Sequence, residues 1–289
     1  MKIAILASGA LGLKCIQHLQ KHISFEFIAT DNHSNKIIEF AKSKSIPYFK
    51  GNPRKGKLFS FAKAYKLDVL LSINYLFIIE NDVISLAKYP INFHGSLLPK
   101  YRGRTPHVWA IINNEKVTGV TAHIINQGCD TGDIVLQEII KIEDEDTGND
   151  ILQKYIDIYP LMLDKVLFAI GQNNLQRIPQ NNVEATYFDK RTPEDGEINW
   201  NWQKDRINNW VRAQSYPYPG AFTFYKGKKV IIDKLKLSPM GYNNSDANGL
   251  VLNSNNNLIT VKTQNGAIEL SVIRNIDSIE LPLKGDKIG

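Results

Sequence analysis

The stretch Met1-Lys2-Ile3-Ala4-Ile5-Leu6-Ala7-Ser8-Gly9-Ala10-Leu11-Gly12 opens the chain, and its reading decides the fold. In residues 2–7 (KIAILA) every position after Lys2 is apolar, consecutive instead of alternate, the mark of a strand covered on both faces in a parallel sheet. The run is too short for a secretion signal and leads straight into a turn, so no leader peptide is expected. Gly9 and Gly12 lack the G-x-G-x-x-G spacing, which excludes the usual dinucleotide fingerprint. Outward from this strand, residues 11–20 read as a helix, 25–30 as a second buried strand and 36–44 as a helix ending before Ile46-Pro47. A helix over 57–65 and strands over 69–73 and 87–93 continue the alternation, which predicts an α/β domain with right-handed crossovers.

Residues 120–125 alternate Thr and His with Val, Ala and Ile, as an outer strand does, and 134–142 is the expected hairpin partner. A long amphipathic helix spans 147–171, interrupted or kinked at Pro160. Residues 172–191 are polar and weakly patterned, as in a linker. Beyond a short helix over 205–213 the pattern changes to brief β runs at 221–225, 229–237, 249–252, 258–263 and 268–272, parted by turn residues. That pattern predicts a small antiparallel barrel or sheet, with Asn253–Asn257 (NSNNN) as a polar turn tip. The expected domains are 1–190 and 191–289.

The chain has 289 residues, 43% hydrophobic and 22% charged, in the range of ordinary soluble proteins. Its 35 Lys and Arg against 29 Asp and Glu give +6, a mild bias toward anionic ligands and far from a nucleic-acid-binding basic run. Cys15 and Cys129 are too few for a disulfide framework or a four-ligand zinc site, and no His/Cys/Asp cluster has metal spacing. No run of eighteen apolar residues is present, so no membrane partner is expected and the chain is assigned to a reducing cytoplasm.

The candidate chemistry lies in INFHGSLLPKYRGRTP, residues 91–106. Asn92 and His94 are two apart at a predicted strand end, so they share one face at the carboxyl edge where α/β sheets bind ligands. An amide there can donate to an oxygen gaining negative charge, and an imidazole can donate or accept a proton near neutrality. Asp130 follows in GCDTGD (128–133), whose glycines suggest a tight loop presenting a carboxylate that either orients the imidazole or relays a proton itself. Each of the three also has an ordinary structural reading, as a satisfied strand-end side chain or a turn former. Cys129 has no evident base and is expected to be a small buried residue instead of a nucleophile.

Taken together, NFHGSLLPKYRGRTPHVW, TGVTAHII and CDTGDI resemble the folate-dependent formyltransferase family in order and spacing. That family includes sugar-nucleotide, methionyl-tRNA and phosphoribosylglycinamide formyltransferases. The resemblance continues through RTPEDGEINW (191–200) and WVRAQSYPYPGAF (210–222) and fades after about Ser238. It implies a Rossmann-like catalytic domain followed by a small open, OB-like β-barrel, and N10-formyltetrahydrofolate as formyl donor. Asn92, His94 and Asp130 inherit the catalytic roles. The folate is expected against Ser72, Tyr75, Leu76 and Phe77 and against Gly128 and Asp130.

Two acceptors remain in view. The tRNA enzymes carry a basic insertion after the second strand, whereas here Asp31–Lys36 runs directly into a helix. The resemblance therefore favours a nucleotide-linked amino sugar, with a 4-amino-4,6-dideoxyhexose foremost, and methionyl-tRNA as the alternative; no stable nucleic-acid partner is expected. Lys100, Arg102 and Arg104 are candidates for a pyrophosphate, with a structural role for one arginine equally open. The absence of a fused dehydrogenase domain weakens an aminoarabinose substrate, and a folate- or nucleotide-binding module without activity is the non-enzymatic reading. A second copy of the chain is a candidate partner.

Overall fold

The computed structural model describes residues 1–255 and 258–289, so the tip of the expected Asn253–Asn257 turn, Asn256 and Asn257, lies outside the described residues. In chain order come β1 (Ile3–Ala7), α1 (Gly9–Leu19), β2 (Phe25–Thr30), α2 (Asn35–Ser43), β3 (Tyr48–Lys50), α3 (Lys57–Ala62), β4 (Leu67–Ile73), α4 (Asn81–Ile84) and β5 (Ala87–His94). Then follow β6 (Arg102–Gly103), α5 (Pro106–Ile112), β7 (Val117–Ile124), β8 (Ile134–Lys141), α6 (Gly148–Gly171) and β9 (Tyr187–Phe188). The remainder is α7 (Lys204–Ala213), β10 (Ala221–Tyr225), β11 (Lys228–Ser238), β12 (Val251–Asn255), β13 (Leu258–Thr263) and β14 (Gly266–Ile273).

A seven-stranded sheet runs in the order β3-β2-β1-β4-β5-β7-β8. β1 is wholly buried, as its unbroken apolar run requires, and pairs in parallel with β2 and β4. β5 pairs in parallel with β4 but antiparallel with β7, so the sheet is mixed. β7 is not the outer strand its alternation suggested. β8 takes the edge, and Thr118, Thr121 and His123 are all buried because each polar side chain finds a partner inside. Thr118 meets the Tyr155 hydroxyl at 3.0 Å, and Thr121 Oγ1 donates to the Ser96 carbonyl at 2.6 Å. Helix α6 is continuous, with Pro160 inside it.

The chain divides into two compact units. One comprises Met1–Gly103, Thr118–Ile140 and Gln153–Phe188; the other comprises Arg104–Val117, Lys141–Leu152 and Asp189–Gly289. The second unit thus recruits two segments from the expected 1–190 domain, because their hydrogen bonds run to the C-terminal part. Trp109 Nε1 donates to the Asp189 carbonyl at 3.2 Å, and Arg212 Nη1 to the Asp146 carbonyl at 2.6 Å. Its five-stranded antiparallel sheet, β10-β11-β14-β13-β12, matches the predicted small barrel and surrounds a core that includes Trp200, Ile232, Val261 and Ile268.

The expected linker is not slack. Ile178 exchanges both backbone hydrogen bonds with Ile134, and β9 pairs with β6, so residues 178–188 form a strap fastened along the first unit. No helix among the described residues is long and apolar enough to cross a membrane.

Candidate active site

Asn92 and His94 occupy the last turns of the β5 pleat and face the same way, as their spacing requires. Antiparallel register sets Asn92 opposite His123 and His94 opposite Thr121, while Ser72 of β4 flanks Asn92 on the other side. Asp130 comes from the loop between β7 and β8, with a left-handed backbone (φ 54°). That loop is tight enough that a Cβ on Gly132 would sit 1.8 Å from the Ile124 carbonyl oxygen, so only glycine fits there.

These side chains converge. Asn92 Nδ2 lies 3.1 Å from His123 Nε2 and 3.5 Å from Asp130 Oδ1. Asp130 Oδ2 lies 3.5 Å from His94 Nδ1 and accepts the Gly103 backbone N–H at 2.9 Å, and Oδ1 lies 3.4 Å from His123 Nε2. Carbonyl oxygens fix both tautomers, since they only accept. His94 Nε2 donates to the Tyr101 carbonyl at 2.7 Å, which leaves Nδ1 bare in the neutral ring and turned toward the carboxylate. His123 Nδ1 donates to the Ile124 carbonyl at 2.9 Å, so its Nε2 accepts from the Asn92 amide.

Burial pushes the His94 imidazole below its ordinary range, and the neighbouring His123 adds to this. The Asp130 carboxylate and the Tyr101 hydrogen bond oppose the shift without cancelling it. For Asp130, burial alone would raise the pKa, but His94, His123 and the Gly103 N–H outweigh it and hold the carboxyl well below the usual carboxylate range. The site therefore contains a firmly ionised carboxylate, a neutral imidazole with one bare nitrogen, and an amide donor.

The other expected site residues fall differently. Arg102 is 1% exposed and does not face solvent. Its guanidinium donates to the Gln180 side-chain oxygen (2.7 and 3.2 Å), the Asn182 side-chain oxygen (2.9 Å) and the Tyr187 hydroxyl (2.5 Å), which is structural work in place of the expected pyrophosphate contact. Lys100 and Arg104 are exposed. Cys129 is exposed too, against expectation, because the Gly128–Asp130 loop turns it outward with Sγ 3.5 Å from Asp130 Oδ2.

Ser72 is buried at the end of β4, and the loop after it carries an edge-to-face pair, Tyr75 and Phe77, at 5.5 Å, with Leu76 exposed. The Tyr75 hydroxyl is buried with no hydrogen-bond partner among the described residues. An aromatic loop with an orphaned hydroxyl fits a flat heteroaromatic ligand with a polar edge. Gly128 lies in the exposed part of the Asp130 loop. Sequence reasoning missed His123 and Gln180. His123 had a usable signal, since pairing the two strands in antiparallel register puts it opposite Asn92; Gln180 had none.

The family described as "Formyl transferase" matches residues 1–167, and "Formyl transferase, C-terminal domain" matches 190–284, well past Ser238 where the resemblance was expected to fade. The chain belongs to the formyl transferase family. A bifunctional polymyxin resistance protein ArnA of Wigglesworthia glossinidia brevipalpis is 34% identical over the whole of this chain and 46% of its own length, so the chain spans about half of that relative. Two solved structures share the formyl transferase fold at 22% identity. WlaRD, a sugar 3N-formyl transferase in the presence of dTDP and 5-N-formyl-THF, superposes with a TM-score of 0.73 over 95% of this chain and 98% of its own. The N-formyltransferase from Helicobacter canadensis, in complex with folinic acid and dTDP-3-aminofucose, gives 0.70 over 94% and 99%.

Proposed function

We propose that this formyl transferase moves a formyl group from N10-formyltetrahydrofolate to the amine of a nucleotide-linked amino sugar, with Asn92, His94 and Asp130 as its chemical centre. The observation that carries the reading is the convergence of an amide donor, a bare imidazole nitrogen and an ionised carboxylate within 3.5 Å contacts. The folate supplies an activated formyl carbon on N10. It is held, in this reading, against Ser72, Tyr75, Leu76 and Phe77 and against Gly128 and Asp130, where the aromatic pair and the free Tyr75 hydroxyl suit a pterin.

The amine must be neutral to attack. His94 Nδ1 is the base: it is bare in the neutral ring, and a carboxyl held as far below its usual range as Asp130 is a poor proton acceptor. The imidazolium so formed is stabilised by Asp130 and, with the Asn92 amide, donates to the carbonyl oxygen as that oxygen gains negative charge. That proton passes from His94 Nδ1 to the leaving nitrogen as its bond to the formyl carbon breaks, and the second proton, which the attacking nitrogen still carries after the new C–N bond forms, is released to water. The product gains one CO.

The two structural neighbours, a sugar 3N-formyl transferase with dTDP and an N-formyltransferase in complex with dTDP-3-aminofucose, support a nucleotide sugar as acceptor. A nucleoside-diphosphate 4-amino-4,6-dideoxyhexose destined for surface polysaccharide or a pseudaminic-type sugar is the specific substrate we assign, with exposed Lys100 a candidate contact for its phosphates. A cytoplasmic location accords with a soluble folate donor. The test is mass spectrometry after incubation with N10-formyltetrahydrofolate and a panel of UDP- and dTDP-linked 3-amino and 4-amino sugars, with charged initiator tRNA alongside. A 4-amino sugar heavier by one CO is the expected result; formylated methionyl-tRNA with an untouched sugar panel overturns it.

A further inference from the structure

His94 and Asp130 are both held by one three-residue segment. The Tyr101 carbonyl takes His94 Nε2, and the Gly103 N–H holds Asp130 Oδ2. Besides His94, the strap of residues 178–188 fastens that segment. The Arg102 N–H donates to the Thr186 carbonyl at 2.9 Å, the Tyr101 N–H donates to Thr186 Oγ1 at 2.8 Å, and the Tyr101 ring stacks on Phe188 at 4.9 Å. Gly103 sits so close that a Cβ there would stand 2.3 Å from the Phe188 carbonyl oxygen.

Gln180 joins this assembly to the opposite side of the site. Its side-chain oxygen accepts from Arg102 Nε and Nη2, while its Nε2 donates to the backbone carbonyls of Asp130 (2.8 Å) and Gly132 (2.7 Å). One amide thus spans the segment that holds the imidazole and the loop that carries the carboxylate. A guanidinium as buried as that of Arg102, with no carboxylate partner among the described residues, needs each neutral acceptor it has, so Gln180 cannot rotate without stranding charged donors.

We propose that Gln180, locked by Arg102, is a positioning residue that sets the separation of Asp130 from His94 and thereby the proton affinity of His94 Nδ1. This rests on the assignment of His94 and Asp130 to the transfer. The carboxylate is the main group raising the proton affinity of His94, against burial and His123; buried Tyr159 is the further titratable group close to Asp130. If the Asp130 loop drifts from its place, the imidazole loses that support and titrates at lower pH.

Two substitutions divide the functions of the amide. Q180E keeps an acceptor for Arg102 but replaces the donor to the Asp130 and Gly132 carbonyls with an oxygen that repels them. Q180L removes both. Each is expected to lower kcat by about 10- to 100-fold, the scale of a small misplacement of reacting groups, with the KM for the folate within about twofold. In Q180L the acid limb of the kcat–pH profile moves to lower pH, and the NMR titration of the His94 imidazole, followed in the protein without folate, moves the same way. Val183→Ala, on the strap but 93% exposed, is expected to leave kcat, the folate KM, the acid limb and the His94 titration unchanged. Wild-type kcat in folded Q180E, or a lowered Tm with an unmoved His94 titration in Q180L, overturns the proposal; Q180E decides it if Q180L does not fold. If His94→Ala and Asp130→Ala remain fully active, the assignment of the site fails instead.

Discussion

In the mixed-sheet unit the polar side chains that matter are buried His94, His123 and Arg102 and half-buried Asp130, and most of their partners come from distant parts of the chain. In the antiparallel unit the interior is filled by Ile198, Trp200, Val230, Ile259 and Leu270, and its buried polar side chains, among them Thr223, Lys262 and Thr263, bond to groups of the same unit. The first arrangement stores positional accuracy: each buried polar atom is costly unless met, so the geometry is narrowly defined. The second stores stability through removal of apolar area, which tolerates small displacements. Truncating a side chain is therefore expected to cost activity in one unit and folding in the other.

The largest effect that tests this contrast is Trp200→Ala. Trp200 is 5% exposed and its Nε1 donates to Thr223 Oγ1 at 3.0 Å. The substitution is expected to destabilise the protein by about 3–5 kcal/mol, measured by urea unfolding. A midpoint close to that of the parent would show that the second core is not where stability resides.

In the other unit, Asn92→Ala, His94→Ala and Asp130→Ala are each expected to cut kcat about 10²-fold or more, the scale of losing one preorganised donor or acid–base group. Circular dichroism and Tm should stay near those of the parent. A variant that retains near-normal turnover removes that residue from the chemistry.

A difference in pH response follows. His107 of the second unit, hydrogen-bonded to the Tyr218 hydroxyl at 2.8 Å, is pushed by burial from 6.5 down to about 4. Between those values the unfolded chain binds a proton that the folded chain refuses, so stability falls as pH drops through this window. His107→Gln should flatten the Tm-against-pH curve between pH 6.5 and 4. An unchanged slope would place the acid sensitivity elsewhere.

His123→Phe is a gentler probe of the polar cluster. It strands the Asn92 amide hydrogen that Nε2 accepts and should lower kcat about tenfold, the equivalent of one unmet buried donor. Activity equal to the parent would mean that Asn92 is oriented by Asp130 alone. Smallest of all is Asp144→Asn, which breaks an ion pair with Lys116 whose side chains are 88% and 69% exposed. No measurable change in Tm is expected, since water and salt screen such pairs.

Much of the fold was legible because it rests on local pattern. The consecutive apolar residues of β1, the strand over Phe25–Thr30 and the strands over Ala221–Tyr225 and Leu258–Thr263 follow from which side chains neighbour one another along the chain. The pairing of Asn92 with His94 on one face followed from the two-residue period of a strand. What local pattern missed depends on partners far away in sequence. Arg102 reads as a pyrophosphate candidate, with a structural role equally open, and is buried in a structural role because Gln180, Asn182 and Tyr187 close over it. Cys129 reads as a small buried residue and is exposed, because the loop must turn Asp130 inward.

By itself, then, the sequence determined the alternation of strands and helices, the antiparallel C-terminal sheet and the motif that carries Asn92, His94 and Asp130. Only the tertiary structure decided that His123 completes the cluster, that residues 178–188 are a fastened strap and that the second unit claims 104–117 and 141–152. The reason is physical: periodicity records burial one residue at a time, whereas a buried hydrogen bond needs two groups, and their meeting is set by strand register and loop closure.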